Sequence, residues 1–248
     1  MISRALIVDI ESTGLDPAVD KVTETGAILY SLESAASLVE FSAVIPCEWT
    51  NKNAEALTGI TLAMIREMAG VHESICGDSA VDYLAGMLGA LAGTADCVVA
   101  HNAEFDRQWL DLAIGDLPWL CTMEDFRFPG VTPGQSLTAT ALGLGVPVVS
   151  AHRALTDCRL IAAILTRCAE LGHDLQELFR IARRPKALFV AVDDGNFFRL
   201  SKAEQERSTE ARRLAGFKWN RIVPKAWARR MPAEDAQGLP FEVREFTR

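Results

Sequence analysis

No two of the six cysteines in this 248-residue chain are spaced Cys-x-x-Cys, and most sit inside apolar stretches. Those spacings argue against a zinc site, and the apolar surroundings leave reduced core thiols in a cytoplasmic protein as the expectation. No apolar run approaches the ~20 residues needed to span a bilayer, so no membrane partner is expected. A strand-like segment begins almost directly after Met1, which leaves no room for the basic, apolar and cleavage regions of a secretory signal. Internal repeats and low-complexity tracts are missing as well. Positive charge is scarce in the first three quarters of the chain: residues 1–179 hold 9 Lys and Arg against 24 Asp and Glu, whereas residues 180–248 hold 16 against 9. The net charges, −15 and +7, give the two parts different electrostatic work. An acidic unit repels a phosphate backbone except where cations neutralise it, and a basic appendage can hold that backbone nearby.

What the acidic part does contain is carboxylates where an unpaired charge should not be. Residues 5–11, Ala-Leu-Ile-Val-Asp-Ile-Glu, read as a strand apolar on both faces, and period-2 geometry puts Asp9 and Glu11 side by side on one of them. Asp106 opens a helical stripe that continues through Trp109, Leu110 and Ala113. Asp157 opens another, with Leu160, Ile161, Ile164, Leu165 and Cys168 at positions 3, 4, 7, 8 and 11 beyond it. Burying so many negative charges costs several kcal/mol each unless something positive lies between them. The only Lys or Arg in these segments are Arg4, Arg107, Arg153 and Arg159, so divalent metal is the natural candidate.

Three segments carry a family resemblance. Val-Asp-Ile-Glu-Ser-Thr-Gly-Leu (8–15), Ala-His-Asn-Ala-Glu-Phe-Asp (100–106) and Ala-His-Arg-Ala-Leu-Thr-Asp (151–157) resemble, in order and spacing, the three motifs of the DEDD exonucleases. A histidine five residues before the last acid points to the DEDDh branch, which holds the proofreading epsilon subunits and ribonuclease T. Smaller matches fall between: Glu24-Thr25-Gly26-Ala27, Leu57-Thr58-Gly59-Ile60 and Cys121-Thr122-Met123. The resemblance covers about residues 1–170 and implies an α/β fold of ribonuclease H-like type, a mixed five-stranded sheet with helices on both faces. Strand-like segments at about 4–10, 22–31, 37–45, 97–101 and 119–123, and helical patterns at about 79–92, 103–114, 136–142 and 154–170, agree with it. Asn102 is the expected N-cap of the second of these helices.

The resemblance also implies a 3′-to-5′ exonuclease that uses two Mg²⁺ or Mn²⁺ ions to hydrolyse single-stranded DNA or frayed 3′ ends to 5′-mononucleotides. Asp9, Glu11, Asp106 and Asp157 then hold metal through hard oxygen donors. Asp9 bridges both ions, Glu11 and Asp157 serve the nucleophile side, and Asp106 reaches the second ion through water. His152 cannot share a helical face with Asp157, because five residues of α-helix turn the side chain by about 140°. It is therefore expected on the loop before that helix, as a general base. Ser12, Thr13, Gly14 and Leu15 match the segment that meets the terminal nucleotide, with Asn102 and Phe105 beside it; Gly14 alone also fits a tight turn, and Phe105 the core. His101 is read as packed. An exoribonuclease is the alternative substrate reading. A non-catalytic nucleic-acid-binding or polymerase-associated subunit is the alternative class, and a polymerase or other replication or repair protein is the candidate protein partner beside nucleic-acid 3′ ends.

The expected division is an exonuclease domain over 1–178 and a small basic α+β domain over 187–248 that binds nucleic acid or a protein partner. In the second, Leu188–Val192 reads as a strand, Asp193-Asp194-Gly195-Asn196 as a turn and Ser201-Lys202-Ala203-Glu204 as a capping box for a helix that Gly216 closes. Residues 211–227 resemble a short Ala-Gly-aromatic-Trp element appended to some bacterial and phage proteins. Phe197, Phe198, Phe217, Trp219 and Trp227 lie among Arg199, Lys218, Arg221, Lys225, Arg229 and Arg230, a pattern open to two readings: a base-stacking surface, or the core a small domain needs.

Overall fold

The computed structural model describes residues 1–76, 80–149, 152–192, 200–219 and 222–247. Its larger sheet is built from β1 (Arg4–Ser12), β2 (Val22–Ser31), β3 (Ala36–Val44), β4 (Cys97–Ala100) and β5 (Trp119–Cys121) in the order β3-β2-β1-β4-β5. The first three strands form an antiparallel meander, and β4 and β5 add parallel to β1. β1 is central and apolar on both sides, as a strand covered twice must be. Its Ala5 and Ile7 face a core formed with α5 (Leu137–Gly143), α6 (Ala154–Glu170) and α7 (Leu175–Ala182). Its Leu6, Val8 and Ile10 face a second core formed with α3 (Ala80–Ala92) and α4 (Ala103–Ile114). The mixed five-stranded architecture expected from the motifs is the one observed. Between β3 and α3 lie two helices outside the helical patterns named above, α1 (Lys52–Thr58) and α2 (Leu62–Cys76), the second directly after the Leu57-Thr58-Gly59-Ile60 match. The side chain of Asn51 caps α1 by accepting from the amides of Asn53 and Ala54.

A second, antiparallel sheet follows, with the order β7-β8-β6-β9: β6 (Ala187–Ala191), β7 (Lys218–Trp219), β8 (Trp227–Met231) and β9 (Val243–Glu245). α8 (Lys202–Leu214) starts at the predicted capping box, and Gly216, at φ +77°, takes up the left-handed turn after it. A short α9 (Ala233–Ala236) follows β8. Phe189, Ala191, Phe217 and Met231 form the buried centre of this unit. The turn predicted at 193–196, with Phe197, Phe198, Arg199 and Arg221, lies outside the described residues. Among those described, no helix is long and apolar enough to cross a membrane.

The basic unit docks on the acidic one through ion pairs. Lys218 Nζ lies 2.5 Å from Glu124 Oε1, and Lys186 Nζ 2.6 Å from Asp125 Oδ1. Asp235 meets both Arg127 and Arg184 at 3.0 Å. Arg229 is buried, with Nη1 donating to the Ala215 carbonyl at 2.6 Å. Lys218, paired with Glu124, and Arg229, buried in the fold, are thus two cations of the candidate binding surface that the fold itself withdraws from solvent, which the linear charge pattern does not reveal.

Candidate metal and active site

The site forms at the carboxyl end of β1. Asp9 and Glu11 share the face of Ala5 and Ile7, toward α6, and Asp157 in the first turn of α6 comes down on them. One carboxylate oxygen from each of Asp9, Glu11 and Asp157 lies within 4.8 Å of the others. Asp106 arrives from the opposite face, on the first turn of α4. β4 pairs with β1 only as far as Ile7↔Val99, so the sheet gives the Ile10 amide no partner on that side. Asp106 Oδ1 fills the gap by accepting that amide at 3.2 Å. Three of the four expected carboxylates therefore converge directly, and the fourth is tied to the strand between them.

The electrostatics of this arrangement ask for a cation. Burial, with Asp106, Asp157, Glu11 and Glu24 nearby, holds the Asp9 carboxyl well above the usual range. Burial first, then Asp157 and Glu24, push Glu11 up to about 8. Burial also raises Asp106 to about 8, opposed by the Ile10 amide bond, and raises Asp157. Asp157 Oδ2 accepts the His152 amide at 3.3 Å, while its Oδ1 is buried with no hydrogen-bond partner among the described residues. An all-carboxylate donor set with such an orphaned oxygen fits a hard divalent cation such as Mg²⁺ or Mn²⁺.

A stability prediction follows from these shifts. Carboxyls whose folded values lie above their unfolded ones keep protons that the unfolded chain releases, so the metal-free fold loses stability as pH rises between about 4.5 and 8. The Tm of EDTA-treated protein is expected to fall across that interval. The increment restored by Mn²⁺ should grow across it, since cations replace the missing protons. Asp106→Asn should flatten the metal-free slope. A metal-free Tm that rises with pH contradicts this electrostatic picture.

His152 lies on the loop before α6, exposed, with its backbone in the left-handed region at φ +63°. Leu15, 78% exposed, projects from the loop after β1. That loop is stapled from inside: Asp20 accepts from Thr13 Oγ1 at 3.1 Å and from the Asp16 amide at 3.0 Å. Asn51 Nδ2 adds a bond to the Thr13 carbonyl at 2.5 Å. A Cβ on Gly14 would overlap the Asp20 carboxylate, so glycine there makes room for the staple. Thr13 is buried and gives its amide to the Lys21 carbonyl, and Ser12 Oγ donates to the Gly14 carbonyl at 2.5 Å. Asn102 sits at the N-cap position of α4, but at φ +69° and without a side-chain cap bond, so its cap role is corrected to that of a left-handed entry into the helix. Phe105 is half-buried, edge-to-face on Trp109 at 6.2 Å. His101 is structural: its ring nitrogens meet Thr122 Oγ1 and the Gln135 carbonyl, and burial pulls its pKa down to about 4.

Residues 6–165 match the family model described as "Exonuclease", nearly two thirds of the chain. The chain belongs to this exonuclease family. The resemblance to exonucleases read from the three motifs is borne out. Residues 200–246 match a domain of unknown function. The exonuclease segment is similar to a DNA polymerase III of PolC type from Thermotoga petrophila, 29% identical over 174 residues that cover 67% of this chain and 12% of the polymerase. It is also similar to exodeoxyribonuclease 10 of Escherichia coli, 27% identical over 188 residues, 73% of this chain and 76% of that protein. The chain thus spans only a small part of the polymerases it matches. In fold it resembles E. coli exonuclease I in complex with a dA16 oligonucleotide, at a TM-score of 0.56 and 15% identity, over 97% of this chain and 68% of that one.

Glu24 stands in the sequence only as part of a motif, with no role attached to it. It lies opposite Glu11 on β2, 2% exposed, and binds Arg153. The signal available was a further acid in a strand apolar on both faces, in a segment with almost no cations.

Proposed function

We propose that this exonuclease removes 5′-mononucleotides from the 3′ ends of single-stranded DNA, or of duplexes with frayed ends, using two Mg²⁺ or Mn²⁺ ions. The observation that carries the reading is the convergence of Asp9, Glu11 and Asp157 on one another, with Asp106 bonded to the strand that bears the first two. Divalent cations in such a site supply charge neutralisation at the phosphate and a nucleophilic hydroxide at neutral pH. The chain's own groups do the rest. The 12–15 loop, stapled by Asp20 and Asn51, receives the terminal nucleotide, with Leu15 against its base. His152 takes the proton of the attacking water, the new P–O bond forms, and the bond from phosphorus to the 3′ oxygen of the penultimate nucleotide breaks, that oxygen taking a proton from solvent to become the new 3′ hydroxyl. The likeness to an exodeoxyribonuclease supports DNA over RNA, and the PolC-type likeness supports a replication or repair polymerase as protein partner. Free thiols at Cys47, Cys97, Cys121, Cys158 and Cys168 fit a cytoplasmic setting. Digestion of matched DNA and RNA oligonucleotides, single-stranded and duplex, tests the substrate. Faster loss of single-stranded DNA is expected; faster loss of RNA reverses that assignment and leaves the nuclease reading in place.

Residues 187–248 are proposed as a separate small domain that holds the single strand beyond the exonuclease domain at 1–178. Its support is the +7 charge of residues 180–248 and Trp219, 54% exposed beside Trp227 with ring centroids 5.8 Å apart. Trp219→Ala in the full chain is expected to weaken binding by about 1–3 kcal/mol, the usual scale for one base–aromatic stack, with turnover at saturation unchanged. Trp227→Ala should loosen the domain itself, since its side chain also packs against the buried cluster of Phe189, Ala191, Phe217 and Met231. An unaltered KM and salt slope in Trp219→Ala would favour a protein partner for this surface.

A further inference from the structure

The segment Glu24-Thr25-Gly26-Ala27 contributes no ligand to the site, yet it grips the stretch of chain that carries the general base. Both oxygens of the buried Glu24 carboxylate are engaged by that stretch. Arg153 Nε reaches Oε2 at 2.9 Å, Arg153 Nη2 reaches Oε1 at 2.7 Å, and the Ala154 amide donates to Oε2 at 2.9 Å. Two residues on, Gly26 lets β2 touch the first turn of α6: a Cβ there would stand 2.5 Å from the Ala154 carbonyl carbon and the Leu155 amide nitrogen. His152 is held in the left-handed region, which a residue with a Cβ leaves unless its surroundings fix it. Its amide is fixed on one side by Asp157 Oδ2. On the other side stands the Arg153–Glu24 fork, whose planar two-bond geometry sets orientation as well as distance.

We infer that Glu24 and Arg153 form a latch that positions the His152 imidazole at the carboxylate cluster, making both positioning residues for the hydrolysis. The inference rests on the exonuclease reading, and its test separates the two. Arg153→Ala is expected to lower kcat about 10- to 100-fold, the scale of a slightly misplaced catalytic group, with KM and the Mn²⁺ half-saturation near wild type. Arg153→Lys, which keeps the charge but not the fork, should fall between. In a His152→Ala background neither change should lower kcat further, because the latch acts only through that imidazole. A readout independent of activity is the ring resonances of the four histidines in isotope-labelled protein. In both Arg153 variants the His152 signal should shift or broaden while that of buried His101, a marker of the intact fold, stays in place. Equal rate losses with and without His152, or an undisturbed His152 signal in folded Arg153→Lys, overturn the latch. A wild-type protein without nuclease activity overturns the exonuclease reading, and the His152 signal still decides the latch.

Discussion

Asp9→Ala, Glu11→Ala, Asp106→Ala and Asp157→Ala are each expected to lower turnover by roughly 10³- to 10⁵-fold, the scale on which loss of one member of a mutually dependent site is felt. The loss should not come from unfolding. Each carboxylate is desolvated and repelled by the others, so removing one relieves strain in the metal-free protein, and its Tm should stay level or rise. Asp106→Ala carries one opposing term, since the Ile10 amide loses its acceptor. Steady-state rates in Mn²⁺, with circular dichroism as a check on the fold, measure the effect. Folded variants with near wild-type rates would place the chemistry elsewhere in the chain.

His152→Ala is expected to reduce turnover about 10²- to 10⁴-fold, the usual cost of losing a general base. Metal affinity should be nearly intact, because the ligand atoms within reach of one another come from Asp9, Glu11 and Asp157. Isothermal titration with Mn²⁺ beside single-turnover rates separates the two effects. Lost metal binding would make His152 a ligand instead.

Much of this architecture was legible because its signals are local. The five strands of the main sheet appeared within two residues of their observed ends, since β1 and β4 are buried on both faces and read as unbroken apolar runs. Asp9 and Glu11 were placed on one face by strand periodicity alone, and α6 followed from its apolar stripe. The missed helices have weaker local signals. α7 buries Leu175, Leu178, Phe179 and Ala182 at helical spacing, but that stripe is short and lies in a stretch dense in charge, from Asp174 and Glu177 to Arg183 and Arg184. Asn102 was expected to cap α4 as its residue type commonly does, whereas the tight exit from β4 demands a left-handed residue there, which asparagine also tolerates. Pairings between distant segments were not legible at all. Nothing in the linear pattern joins Glu24 to Arg153, 129 residues apart, or Glu124 to Lys218, and so both ion pairs emerge only in three dimensions.

The measurement that bears most directly on a carboxylate-held metal site acting at 3′ ends is digestion of one single-stranded oligonucleotide labelled at the 3′ end in one sample and at the 5′ end in another. Each is followed with Mn²⁺, with excess EDTA, and with Mn²⁺ restored. The 3′ label should appear at once as mononucleotide, while the 5′ label should descend through a ladder of shortening strands. EDTA should stop both and Mn²⁺ revive them. Release of the 5′ label first, or degradation undiminished in excess EDTA, would contradict the account.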